Sequence, residues 1–155
     1  MESTRAEKPH ALCIPFPIQG HINHMMLLAK LLHSRGFYIT FFTTDFNHER
    51  VVRLGGAIEL NHLEDFKLES ISHGLPPDHS RNQDPGSLAD ITRKYYLNPV
   101  RDFVSKLNSS MEVPRITCII SDLDFTQLVA EELGIPFFCM WVTSGAAFWG
   151  FLHYP

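Results

Sequence analysis

The sequence predicts an open α/β sheet, mostly parallel and doubly wound, with helices on both faces. Three observations carry this. Short runs that are apolar at nearly every position recur along the chain, as at residues 11–14 and 116–121. Such runs suit strands covered on both faces, the condition of a parallel sheet. Between them lie stretches with apolar residues three and four apart, the period of a helix. The two signals alternate from end to end, the pattern that builds parallel crossovers. At 155 residues the chain has the length of one ordinary domain with a sizeable core.

Residues 1–9 are mostly polar and charged and read as a disordered leader that ends at Pro9. Ala11, Leu12, Cys13 and Ile14 form the first strand, closed by Pro15, Phe16 and Pro17. Residues 18–21 read as a turn. Met25, Met26, Leu28, Ala29, Leu31 and Leu32 then trace a helix that Gly36 ends. Residues 38–43 are β-branched and aromatic and form the second strand. This completes a strand–helix–strand unit, whose crossover is expected to be right-handed. Residues 45–53 suit a short helix capped by Asp45 or Asn47. Residues 57–60 and 66–70 are candidate short strands, and residues 73–86, rich in Pro and Gly, form a long loop. From Ser87 to Leu107 an amphipathic helix follows, with Pro99 as its point of bending. Residues 116–121 form a strand, residues 125–133 a helix capped by Gly134, and residues 136–142 a last strand. Residues 144–152 begin another helix.

Composition excludes several classes. Thirteen Lys and Arg against 17 Asp and Glu give a net charge of −4. No basic excess is present to neutralise a phosphate backbone, so nucleic acid is not an expected partner. Charges break the apolar runs well before the roughly 20 residues a membrane helix needs, so no membrane span is expected. The polar N-terminus lacks the apolar segment of a signal peptide, which points to a cytoplasmic chain. Cys13, Cys118 and Cys139 each lie in an apolar run and read as small buried hydrophobes in a reducing compartment. Their spacing matches no zinc pattern. Of nine histidines, His10, His33, His62, His73, His79 and His153 read as surface or loop residues.

In a doubly wound sheet, ligands bind at the carboxyl ends of the strands. That nominates residues 15–21, 43–47, 121–125 and 143–145. His21 follows the first strand, and Asp122 follows a later strand at the same end. A carboxylate beside an imidazole orients it and stabilises its protonated form, so the pair can take a proton from a hydroxyl. The alternative is that each is a helix cap or a solvated loop residue. His21 and His24 share a helix face, but a metal site would need a third ligand such as Asp122 or His48, and two histidines are a weak signal. No metal is therefore expected. Residues 17–20 hold one glycine and lack both the dinucleotide and the phosphate-loop patterns, so no cofactor is expected.

Several stretches together carry a resemblance. They are residues 15–23 with Gly20, His21 and Asn23; residues 28–37; residues 41–50 with Asn47, His48, Glu49 and Arg50; and residues 119–136 with Ser121, Asp122, Gly134 and Pro136. In this order they resemble the N-terminus of plant family 1 UDP-sugar-dependent glycosyltransferases, over nearly the whole chain. The branch that glycosylates terpenoid, iridoid and cyanohydrin acceptors looks nearest. The resemblance implies a GT-B fold, in which two Rossmann-like domains face a cleft. Residues 10–155 would be the N-terminal, acceptor-binding domain, with the C-terminal UDP-sugar domain absent. It implies that His21 deprotonates the acceptor hydroxyl, that Asp122 supports His21, and that the sugar transfers with inversion and without a metal. The acceptor would be a small, apolar, hydroxylated metabolite. Phe16, Ile18, Gln19, Gly20, His24, Phe125, Trp141, Thr143 and Ser144 are the expected substrate-binding residues.

The sequence departs from the family near this site. His24 stands where the family usually has Pro, the segment after Asp122 looks about two residues short, and Val142 replaces a common Thr. Three readings follow. The chain is an acceptor half that transfers no sugar alone. Or it is a truncated homologue that binds a small apolar metabolite or performs sugar-independent acid/base chemistry, such as isomerisation or cyclisation, with His21 and Asp122. Or it pairs with a full-length transferase, or with itself, through the face that a second domain would cover.

Overall fold

The structure is a computed structural model that describes residues 8–53, 63–71 and 85–154. Its elements are β1 (His10–Ile14), α1 (Gln19–Ser34), β2 (Tyr38–Thr44), α2 (Asp45–Arg53), β3 (Phe66–Ile71), α3 (Pro85–Ser109), β4 (Cys118–Ser121), α4 (Phe125–Leu133), β5 (Phe137–Cys139) and α5 (Gly145–Leu152). The five described strands form one sheet in the order β3-β2-β1-β4-β5, and every pairing is parallel. The expected α/β class and the doubly wound arrangement are both present. The expected strand at residues 57–60, most of the leader, and nearly all of the loop at residues 73–86 lie outside the described residues, as do His62, His73 and His79.

Alternation along the strands divides the core in two. Ala11 and Cys13 of β1 point to one face, where Ile39 and Phe41 of β2 and Ile22, Met25 and Ala29 of α1 cover them. Leu12 and Ile14 point to the other, where they pack with Phe42, with Tyr96, Val100 and Val104 of α3, and with Phe125, Val129 and Ala130 of α4. All residues of β1 and β2 are buried, which is why, His10 apart, these strands are apolar or hydroxylated throughout. Burial pushes the Cys13 thiol up to about 12, with Cys118 adding to it. Both cysteines are buried and reduced, as expected.

Local chemistry sets the element ends. α1 opens at Gln19, so the expected turn at residues 18–21 is mostly first-turn helix. Gly36 follows α1 at a φ of 92°, a conformation that costs glycine little. The cap of α2 is neither Asp45 nor Asn47: Thr44 Oγ1 accepts from the Asn47 N–H at 3.1 Å. α3 begins at Pro85, two residues before the expected start, and runs on through Pro99. Gly134 closes α4 in the left-handed conformation, φ 66°, as expected from its place. β5 is three residues long, shorter than the run at 136–142, and lies at the edge of the described sheet. Cys139 is therefore exposed, against the expectation of burial. α5 buries none of its residues; Trp149 and Phe151 are 66% and 67% exposed.

His10 is the largest departure from expectation. It is fully buried, not a surface residue, because it is the first residue of the central strand. Its Nδ1 lies 2.7 Å from the Pro114 carbonyl oxygen and its Nε2 lies 2.8 Å from Thr40 Oγ1. A carbonyl only accepts, so Nδ1 carries the proton and Nε2 accepts from the Thr40 hydroxyl. Both ring nitrogens are thus satisfied in the neutral form. His33, also expected at the surface, is half-buried with its ring edge-on to Phe66, the centroids 5.8 Å apart.

Burial holds the His10 imidazole below its ordinary value of 6.5. The unfolded chain binds this proton more readily, so the contribution of neutral His10 is complete above that value and is lost as pH falls toward the lowered native one. In urea unfolding from about pH 8 to about pH 5, His10→Gln is expected to flatten the acid limb. The difference in slope from the parent chain should reach up to about 1.4 kcal/mol per pH unit. Parallel curves would assign the acid loss to other groups.

Candidate functional site

Strand order places the site. β1 continues through α1 toward β2 and β3 on one side, and the chain then crosses to β4 and β5 on the other. β1 and β4 are neighbours at the point where the direction of winding reverses, with Ile14 paired to Ser121. A crevice opens beyond the carboxyl ends of two such strands. Residues 15–21 leave β1 there and Asp122 leaves β4 there.

Asp122 is the centre of the arrangement. Its side chain is 4% exposed, and that of His21 is 32% exposed. Asp122 Oδ2 lies 2.6 Å from His21 Nδ1. Asp122 Oδ1 accepts the Phe16 main-chain N–H, also at 2.6 Å. The Phe16 ring packs on the His21 ring, with centroids 5.3 Å apart and planes tilted by 56°. A carboxylate accepts, so with Asp122 as acceptor His21 donates from Nδ1 and the Nε2 of a neutral ring keeps its lone pair. A half-exposed imidazole held in one tautomer by a buried carboxylate has the geometry that acid/base chemistry on a ligand would need.

The neighbouring main chain is braced. Ser121 Oγ donates to the Ile14 carbonyl at 2.6 Å and accepts the Leu123 N–H at 3.0 Å. The Ile18 N–H closes on the Phe16 carbonyl at 2.7 Å around Pro17. Asn47 Nδ2 donates to the Pro17 carbonyl at 3.3 Å, which ties α2 to the same loop.

The other expected residues fall into distinct places. Gln19 Nε2 donates to Asn23 Oδ1 at 2.6 Å, and His24 Nδ1 lies 2.6 Å from the Gly20 carbonyl, to which it donates. Both bonds run along exposed turns of α1, and Ile18 before them is 37% exposed. Phe125 is 2% exposed, packed in the core beneath the site. Trp141 turns to α5: its indole donates to the Ser144 carbonyl at 3.2 Å and its ring meets those of Phe148 and Phe151. Ser144 caps α5, accepting the Ala147 N–H at 3.2 Å, and Thr143 is exposed beside it. His24 and His48 join no metal site; among the described residues, no three His, Cys, Asp or Glu side chains are grouped to hold a metal ion.

Sequence reading missed the Phe16 N–H and the Ser121 hydroxyl as parts of the site. A signal for the first was available. Pro15 and Pro17 have no N–H, so Phe16 is the one main-chain donor in that stretch.

Comparison with known proteins agrees with this fold. Residues 10–141 match the family described as "Glycosyltransferase, N-terminal domain". The chain is 47% identical to UDP-glycosyltransferase 85A1 of Arabidopsis thaliana, over 96% of this chain and 31% of that one. It is 48% identical to 7-deoxyloganetin glucosyltransferase of Gardenia jasminoides, over 96% of this chain and 32% of that one. It spans about a third of the length of these relatives. In structure it resembles Arabidopsis thaliana UGT89C1, crystallised with UDP-L-rhamnose, with a TM-score of 0.67 and 24% identity over 86% of this chain and 36% of that one. No helix among the described residues is long and apolar enough to cross a membrane. The chain belongs to the glycosyltransferase N-terminal domain family.

Proposed function

We propose that this chain is the acceptor-binding half of a UDP-sugar-dependent glycosyltransferase acting on small, apolar, hydroxylated metabolites in the cytoplasm. The observation that carries the reading is the 2.6 Å contact between His21 and the buried Asp122. His21 Nε2 takes the acceptor proton, and Asp122 stabilises the imidazolium that results. The acceptor oxygen then attacks the anomeric carbon, and the nucleoside diphosphate leaves. The donor sugar is held by a second domain of the same kind of fold, and residues 10–155 form the acceptor side.

Phe16 supplies an apolar wall against the imidazole, and Ile18, Gln19, Gly20 and His24 lie in the cap and first two turns of α1 beside it. Trp141, Thr143 and Ser144 stand on the acceptor side beyond β5, and Phe125 supports the loop from below. The relatives support the acceptor class, since one is named for glucosylating 7-deoxyloganetin and another is (R)-mandelonitrile beta-glucosyltransferase of Prunus dulcis.

A chimera in which this chain replaces the matching third of a relative tests the reading directly. With UDP-glucose and a small terpenoid or phenolic alcohol it is expected to form a glucoside. His21→Ala is expected to lower kcat by about 10²- to 10⁴-fold. A glucoside formed at the same rate by His21→Ala would remove His21 from the chemistry. In the 155-residue chain, the same alcohols should raise the melting temperature, by the equivalent of about 2.7 kcal/mol at a hundred times Kd.

Stability tests the brace separately from the chemistry. Asp122→Ala leaves the Phe16 N–H and His21 without their acceptor and is expected to cost about 1–3 kcal/mol in denaturant unfolding. Asp122→Asn keeps an acceptor for Phe16 and should lose less. Equal losses would show that the carboxylate–imidazole contact carries the larger part.

A further inference from the structure

We propose that the chain carries a second binding site, for a small organic ammonium ion, in a cavity against the amino-terminal half of the sheet. This cavity is about 570 Å³, the size of a small-molecule site. Tyr38 and Thr40 of β2, Lys67 and Glu69 of β3, and the turn that follows α3 line it. It is separate from the His21–Asp122 pair, which lies beyond the opposite, carboxyl ends of the strands.

Charge selects the class of ligand. Four carboxylates line the cavity, Glu64, Asp65, Glu69 and Glu112, against the ammonium groups of Lys8 and Lys67. Lys8 is already paired with Asp65. α3 also ends at the cavity, where Leu107 and Ser110 form part of the wall. The carbonyls of a helix C-terminus carry a partial negative charge that favours a cation.

Tyr38 supplies the independent observation. It is 5% exposed and lines the cavity, and its hydroxyl has no hydrogen-bond partner among the described residues. The neighbouring Thr40 hydroxyl differs, since it is committed to His10. Burial, with Asp65 and Glu69 adding, pushes the Tyr38 phenol above its ordinary value. The hydroxyl therefore keeps its proton, and its oxygen is free to accept. The phenol oxygen lines this space without a partner among the described residues, and an ammonium N–H can be directed at it and at a carboxylate together. Leu107 and Val113 form an apolar wall that suits a hydrocarbon arm. A bare metal ion fits less well. The cavity is far larger than an ion, and no described group of three His, Cys, Asp or Glu side chains is placed to hold one.

The probe is n-hexylammonium, with hexanol and hexanoate as its neutral and anionic counterparts. Amide shifts of the 155-residue chain are followed by NMR as each is added. Hexylammonium is expected to move Tyr38, Glu69 and Val113 saturably and to bind at least about fivefold more tightly than hexanol, as a charge-assisted hydrogen bond requires. Hexanoate should not move them. Tyr38→Phe, which keeps the packed ring, should weaken binding by about 2- to 10-fold, and Glu69→Gln by at least as much. Hexanol binding as tightly as the ammonium would overturn the proposal. So would shifts confined to the aromatic face of α5, or unchanged affinity in both variants.

Discussion

Asp122 has both oxygens committed, one to the Phe16 main chain and one to the His21 ring, and this ties the loop after β1 and the start of α1 to a residue more than 100 positions away. The carboxylate is almost fully buried. A buried charge without partners would be expensive, so the loop after β1 and the first turn of α1 must hold the positions that supply them. The same bond that steadies the fold thus also settles the tautomer of the imidazole. The local structure and the proposed chemistry rest here on one side chain, and the neighbouring Ser121 hydroxyl keeps its backbone in place.

The parallel sheet gives the molecule two unlike ends. At the carboxyl ends the loops bring one histidine and one carboxylate together over an apolar floor of Phe16 and Phe125. Toward the amino ends the side chains are polar and mostly acidic, and a buried phenol faces them. The strands between are buried on both faces. Neither end shares a polar side chain with the other, so substitutions at one should add independently to substitutions at the other.

Much of this was legible in the sequence, for reasons that can be named. The run at residues 11–14 could be recognised because a strand covered on both faces has no polar side. The His21–Asp122 pairing was within reach because parallel strands send their following residues to one end, whatever their separation along the chain. His10 was not legible. Its partners lie 104 and 30 residues away, and nothing near it in sequence marks a histidine that is satisfied on both nitrogens. Cys139 was misjudged for the opposite reason. An apolar run reports a preference for burial, but β5 lies at the edge of the described sheet, where Phe137 still packs on the core and Cys139 is exposed. The cap of α2 fell to Thr44, the last residue of a strand, because strand and helix meet there without a loop.

The β1–β4 ladder has a consequence for how the chain reaches this state. The Ser121 hydroxyl and the Ile14 carbonyl that it bonds are 107 residues apart. β1, α1 and β2 can associate through a short loop, as can β4, α4 and β5, but the two groups meet only by closing this long one. Its entropic cost grows slowly with length, yet it must be met before any contact across it is rewarded. The imidazole–carboxylate pair spans that same closure. It is therefore absent from every partly folded form in which only one group has assembled. Its appearance marks the meeting of the two groups across β1 and β4, which makes the His21 ring a natural spectroscopic reporter of that closure.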